Sequence, residues 1–198
     1  MHSFEIVVVT SPNRNSLLLP RIKHLNPIVS VTPNYDLPAG FNPSVKGLTY
    51  NHLGTYRCFK GHQDAITKAK DSKYNYALIF EDDAIPNKQD WDVIVEDSVS
   101  LLERKQFDLV SFHGRQHDLK CFDCHTLYIE YQMIFPAAKN LWIVAALAYL
   151  IPREQYDKLL AFEYDGTPWD IVLYRNFKYC LMEPSCFNHD RSQGSLVD

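Results

Sequence analysis

Short apolar, β-branched runs alternate with segments of helical period along most of the chain. The run FEIVVV (4–9) reads as a first strand and PIVSVT (27–32) as a second. NYDLPAGFNPSVKG (34–47), rich in Pro, Gly and Asn, reads as a loop. GTYRCFKGHQDAITKAK (54–70) has helical period, with Cys58, His62, Ala65 and Ala69 on one face. YALIF (76–80) is a strand, and DWDVIVEDSVSLLERK (90–105) is an amphipathic helix through Trp91, Ile94, Val95, Leu101 and Leu102. FDLVSF (107–112) is again a strand. Residues 113–140 turn polar and then aromatic, an irregular excursion holding one short strand. LWIVAALAYLI (141–151) predicts a strand and PREQYDKLLAF (152–162) a helix with Pro at its start. TPWDIVLYRNF (167–177) predicts a further helix and KYCLMEPSCF (178–187) a late strand. This β-α-β alternation, with no internal repeat, predicts an α/β chain with a mostly parallel central sheet, one domain over residues 1–198. In such sheets ligands bind beyond the carboxyl ends of the strands.

Composition narrows the class. The chain has 198 residues, 46% hydrophobic and 22% charged, enough for a sizeable core and against disorder. A net charge of −4 gives no general attraction to nucleic acid or anionic membrane. No apolar run reaches the ~18 residues of a membrane span. MHSFEIVVVTS lacks the basic head and long apolar middle of an export signal, which leads us to expect a cytoplasmic protein, or one of the host cytoplasm if it is viral. The five cysteines are odd in number, so a disulfide framework is not expected.

The chemistry concentrates in ALIFEDDAIP (77–86), an apolar strand running straight into Glu81, Asp82 and Asp83. Like charges at a strand end cost stability unless a cation neutralises them. A hard divalent ion, Mg²⁺ or Mn²⁺, takes one or two carboxylates together with substrate phosphates. A solvated acidic turn, with Asp83 capping the next segment, explains the same residues.

The ordered set of segments resembles glycosyltransferase family 25, which includes lipo-oligosaccharide and collagen galactosyltransferases. That family carries a Gly-Cys-x-x-Ser-His helix, a strand ending Glu-Asp-Asp, an Ala-Tyr-Leu strand and a late Pro-x-Asp. The counterparts here are CFKGH (58–62), EDD (81–83), LAYLI (147–151) and PWD (168–170). The resemblance runs from about Gly54 to the end. The Arg-rich turn that family members carry after the first strand is here SPNR, with Arg14.

The resemblance implies a GT-A (Rossmann-like) nucleotide-diphospho-sugar transferase domain that inverts the sugar's anomeric carbon. The cofactors it implies are Mn²⁺ or Mg²⁺ and a nucleotide-diphosphate sugar donor, a UDP-sugar by family habit. Asp83 becomes the expected metal ligand, and Glu81 or Asp82 contacts the donor's ribose or the metal shell. His62, Arg14 and Thr10 are expected at the donor, and His189, in the polar FNHDRSQGS segment, as a further metal ligand. Asp170 is the expected base that deprotonates the acceptor hydroxyl. A capping box, with Thr167 as N-cap, Pro168 at the first helical position and an acid three residues on, accounts for Asp170 equally. A backbone-satisfied buried histidine likewise accounts for His62.

The acceptor is expected to be a hydroxyl of a glycan or a lipo-oligosaccharide-type molecule. The ending RSQGSLVD carries no basic cluster or apolar face for a membrane surface. Hydroxymethylated DNA bases are the alternative, with HGRQHDLK (113–120) as the phosphate-contacting run. Two other classes stand beside the enzyme. One is a non-catalytic sugar-nucleotide-binding module. The other is a cysteine-based zinc protein, in which Cys121 and Cys124 join Cys180, Cys186 or His189. CFDCH (121–125) also matches a haem-attachment pattern, which the absence of an export signal disfavours.

Overall fold

The computed structural model describes residues 3–12, 14, 16–41, 52–87, 89–113, 127–129, 132–136, 146–183 and 185–189, with the backbone alone at 127–129, 132–136, 174 and 183. Six strands form a mostly parallel centre in the order β2 (Ile28–Val31), β1 (Phe4–Thr10), β3 (Tyr76–Glu81), β8 (Ala148–Pro152), β5 (Leu109–Ser111) and β9 (Tyr179–Glu183). β8 alone runs against its neighbours β3 and β5. A parallel neighbour needs a crossover, whereas a reversed strand does not. The single strand expected in the excursion is two, the hairpin β6 (Leu127–Ile129) and β7 (Gln132–Pro136), which extends the sheet beyond β9. The mixed α/β architecture and mostly parallel sheet agree with the sequence expectation.

The continuous apolar strands have their cause in burial on both faces. On one face Phe4, Ile6, Val8, Leu78 and Phe80 pack under α3 (Trp91–Glu103). On the other, Val7, Val9, Ala77, Ile79, Tyr149 and Ile151 pack under α2 (His52–Lys70), α4 (Tyr156–Leu160) and α5 (Trp169–Asn176). Each fully buried Val, Ile, Leu or Phe side chain contributes about 1.5–3 kcal/mol. α2 lies very close to the sheet. A Cβ at Gly61 would come within 3.0 Å of Val9 Cγ1 and collide with Thr32 Oγ1, so only glycine lets the helix press down here. Its neighbour His62 is thereby lowered onto the end of β3.

Three local expectations are corrected. Pro152 does not begin a helix; it closes β8 and precedes the 3₁₀ turn Arg153–Gln155 that leads into α4. Thr167 is not an N-cap, because α5 begins at Trp169 with Pro168 in the cap position. The polar segment after β9 is not all tail. Phe187–His189 is a strand, β10, which pairs antiparallel with β4 (Ala84–Pro86). The expected loop at 34–47 is described only to residue 41, where it is irregular. Among the described residues no helix is long and apolar enough to cross a membrane.

Candidate functional site

The three carboxylates of the acidic strand end do not face one way. Strand alternation puts Glu81 on the face of Ala77 and Ile79, toward α2. Asp82 and Asp83 form the turn between β3 and β4, beside the end of β1. Each group therefore finds different partners.

Asp82 is almost wholly buried. It accepts a hydrogen bond from Thr10 Oγ1 at 2.5 Å, and its Oδ1 lies 3.4 Å from Arg14 Nε. Burial pushes its pKa up, and the Thr10 bond and the Arg14 charge pull against that. Ser16 clamps the same turn, donating to the Asp82 carbonyl at 2.9 Å while accepting from the Leu19 amide. Asp83 Oδ2 takes the Arg14 guanidinium at 3.1 Å and lies 2.9 Å from His189 Nε2. The β10–β4 pairing sets His189 opposite Ala84, which brings its ring to Asp83. Asp83 Oδ1 is buried with no partner among the described residues. A buried acceptor without a partner marks a place where an ion or a water belongs.

The sequence-expected metal pair, Asp83 and His189, is thus side by side. Two ligands held at about 2.1 Å around an octahedral ion stand about 3 Å apart, close to the 2.9 Å between these atoms. The oxygen and nitrogen donors suit Mg²⁺ or Mn²⁺. The residues present fit such an ion, with Arg14 already offsetting one carboxylate charge.

Glu81 belongs to a second network. His62 is fully buried; its Nε2 lies 3.2 Å from Glu81 Oε1 and its Nδ1 lies 3.1 Å from Tyr149 Oη. Trp169 Nε1 donates to the same Tyr149 oxygen at 3.1 Å, and its ring stacks on His62 with 6° between planes. One proton arrangement satisfies every member: Trp169 N–H to Tyr149 O, Tyr149 O–H to His62 Nδ1, and His62 Nε2–H to Glu81. The backbone does not satisfy His62; these side chains do. Cys58, one turn before His62, points its thiol at the same Glu81 oxygen at 3.9 Å. Burial, then the charge of Glu81, pushes that thiol's pKa well up.

Asp170 sits in the first turn of α5, directly after Trp169. Its Oδ1 accepts the Ile171 amide at 2.8 Å. A capping box would need it to reach back to the N–H of the cap residue, and Pro168 has none. The carboxyl takes a further hydrogen bond from Asp170's own amide. Burial, opposed by the Ile171 amide and helped by the charge of Glu81, raises its pKa to about 6. A carboxyl tuned toward neutrality in this way can accept a proton at working pH.

Sequence reasoning assigned no role to Tyr149 and Trp169, although both lie inside the AYL and PWD segments singled out above. Their signal was a polar atom on an aromatic ring placed in a strand and a helix start that pack together. Cys180 and Cys186 are buried within the apolar core. Cys121, Cys124 and residues 114–120, on which the zinc set and the basic run fall, lie outside the described residues.

No protein-family model matches the chain, and no curated protein matches it. Among solved structures the chain is similar to A197 from STIV, at 13% identity and a TM-score of 0.48, with 96% of this chain and 86% of that chain covered.

Proposed function

We propose that the chain is a metal-dependent inverting glycosyltransferase of the GT-A type, related to family 25, moving a sugar from a nucleotide diphosphate (a UDP-sugar) to a hydroxyl of a glycan. The observation that carries the reading is the state of Asp83. One buried oxygen lacks a partner among the described residues while the other faces His189, and both lie just past the carboxyl end of a central strand. The mostly parallel sheet and the segment order from Cys58 to Asp170 support the same reading.

Each residue then has a task. Asp83 and His189 would hold the cation. When bound, a divalent ion neutralises the donor diphosphate and stabilises it as the leaving group. Arg14, held by Asp82 and Asp83, supplies a fixed positive charge on the same side. Thr10 fixes Asp82. Glu81, oriented by His62, contacts the donor. Asp170 accepts the acceptor hydroxyl's proton at its carboxyl.

The test is donor binding and nucleotide release over a panel of nucleotide sugars, with and without Mn²⁺. Glycan, peptide and hydroxymethylated-DNA acceptors are run side by side. The expected result is Mn²⁺-dependent binding of one donor, lost in Asp83→Asn. Binding of no donor at all defeats the proposal, and turnover on hydroxymethylated DNA alone replaces the glycan as acceptor.

A further inference from the structure

Among the described residues, Cys58, His62 and Glu81 bring a thiol, an imidazole nitrogen and a carboxylate oxygen within 4.8 Å of one another. We infer that these three residues form a second metal site, separate from the Asp83–His189 pair and suited to a softer ion, Zn²⁺.

Three observations carry this. The first is spacing. Cys58 and His62 stand one helical turn apart on α2 and so share a face, and Glu81 meets them from the end of β3. The second is distance. Tetrahedral zinc, with Zn–S about 2.3 Å and Zn–N or Zn–O about 2.0–2.1 Å, sets its N–O edge at about 3.3 Å and its S–O edge at about 3.6 Å. Here Nε2 to Oε1 is 3.2 Å and Sγ to Oε1 is 3.9 Å, so a few tenths of an ångström close the site. The third is support from behind. Tyr149 and Trp169 hold the His62 ring so that Nε2 faces Glu81, as the hydrogen-bond partners behind metal-bound histidines do.

On binding, the Cys58 thiol releases its proton to solvent. His62 shifts its single proton from Nε2 to Nδ1, where it donates to Tyr149, whose own O–H turns away from the imidazole, and the ion replaces the hydrogen between His62 and Glu81. Three protein ligands leave the fourth position for water. Sulfur selects Zn²⁺ here, and oxygen with nitrogen selects Mn²⁺ or Mg²⁺ at Asp83 and His189. The site itself does not depend on the transferase reading. Its effect does: zinc occupies Glu81, the expected donor contact, and so inhibits transfer.

The test uses the full chain stripped of metal and titrated with Co²⁺ as a spectroscopic stand-in, then displaced by Zn²⁺. The expected result is one equivalent bound with a thiolate-to-cobalt charge-transfer band. The band disappears in Cys58→Ser with unchanged circular dichroism. It survives in Asp83→Asn and in Cys121→Ser/Cys124→Ser. Tyr149→Phe weakens Zn²⁺ binding about 10–100-fold. Zn²⁺ also protects Cys58 of the unaltered protein from alkylation, read by mass spectrometry, so the result stands even if a variant fails to fold. Absence of the band, its survival in Cys58→Ser, or unprotected Cys58 overturns the proposal. None of these readouts requires a sugar donor, so failure of the transferase reading is seen separately.

Discussion

Replacing Asp170 by asparagine separates what this carboxyl does for the fold from what it does for the reaction. Its pKa stands at about 6 against an ordinary 3.8. At 1.36 kcal/mol per unit, a rise of about two units corresponds to about 3 kcal/mol. The sign follows from proton counting. Between pH ~4 and ~6 the unfolded chain has already lost this proton while the folded protein keeps it. Stability therefore falls as pH rises through that window, and the cost is complete above the folded pKa. Asparagine cannot ionise, keeps the oxygen that accepts the Ile171 amide, and removes the cost. Its NH₂ group takes the place of a carboxyl oxygen in this buried turn, which returns about 1 kcal/mol of desolvation.

The expected outcome is a variant more stable than the wild type by about 2 kcal/mol at pH 7.5, and less stable by roughly 0.5 kcal/mol near pH 4. Urea unfolding of both proteins in steps from pH 4 to 8 measures the difference directly. For a chain of this size that gain corresponds to about 4–8 °C in Tm. A stability difference that is flat with pH, or largest in acid, refutes the reasoning. Transfer is the second readout. The same variant binds donor and does not turn over, and near-normal turnover removes Asp170 from the reaction whatever its stability shows.

Three further outcomes follow from the same geometry. With Asp170 as base, kcat/KM rises with pH through about 6; Glu81→Gln, by removing a negative charge that raises this pKa, moves the acid limb to lower pH, and a limb that stays put contradicts the charge coupling. Gly61→Ala destabilises by about 1–3 kcal/mol through its collision with Thr32, and Thr32→Ala in the same chain restores most of the loss. A variant more stable than wild type, as an exposed helix position would give, refutes the close approach. Arg14→Ala strips the guanidinium from two buried carboxylates and costs about 3–5 kcal/mol at neutral pH. Mn²⁺ raises the Tm of that variant more than that of the wild type; equal shifts in a calorimeter disconnect Arg14 from the cation site.

The strands and long helices were legible because their periods are set by burial, and burial here is two-sided and strong. The direction of β8 was not legible, since AYLI reads alike in either direction. β10 was missed because three residues, FNH, carry no period at all, and their pairing with β4 is settled only by the chain's return. Two site features are legible in the sequence itself. Alternation from Ala77 and Ile79 already puts Glu81 on the helix side. Pro168, lacking an N–H, already rules out the reciprocal half of a capping box.

The placement of Glu81 on the helix side changes what the acidic run asks of a metal. Read as a run, Glu81, Asp82 and Asp83 are three charges demanding one cation. Folded, they are divided: Glu81 meets the His62 N–H, Asp82 meets Thr10 and Arg14, and Asp83 shares Arg14 and turns toward His189. Most of the repulsion is answered by the protein itself, so the crude charge count no longer requires an ion. The requirement that remains is narrower: a single buried oxygen, Asp83 Oδ1, without a partner among the described residues. A solvated acidic turn would have placed that atom in water. Its burial beside a histidine brought in by a separate strand is what a cation site would need, and Asp83→Asn is accordingly the substitution to which metal dependence should answer first.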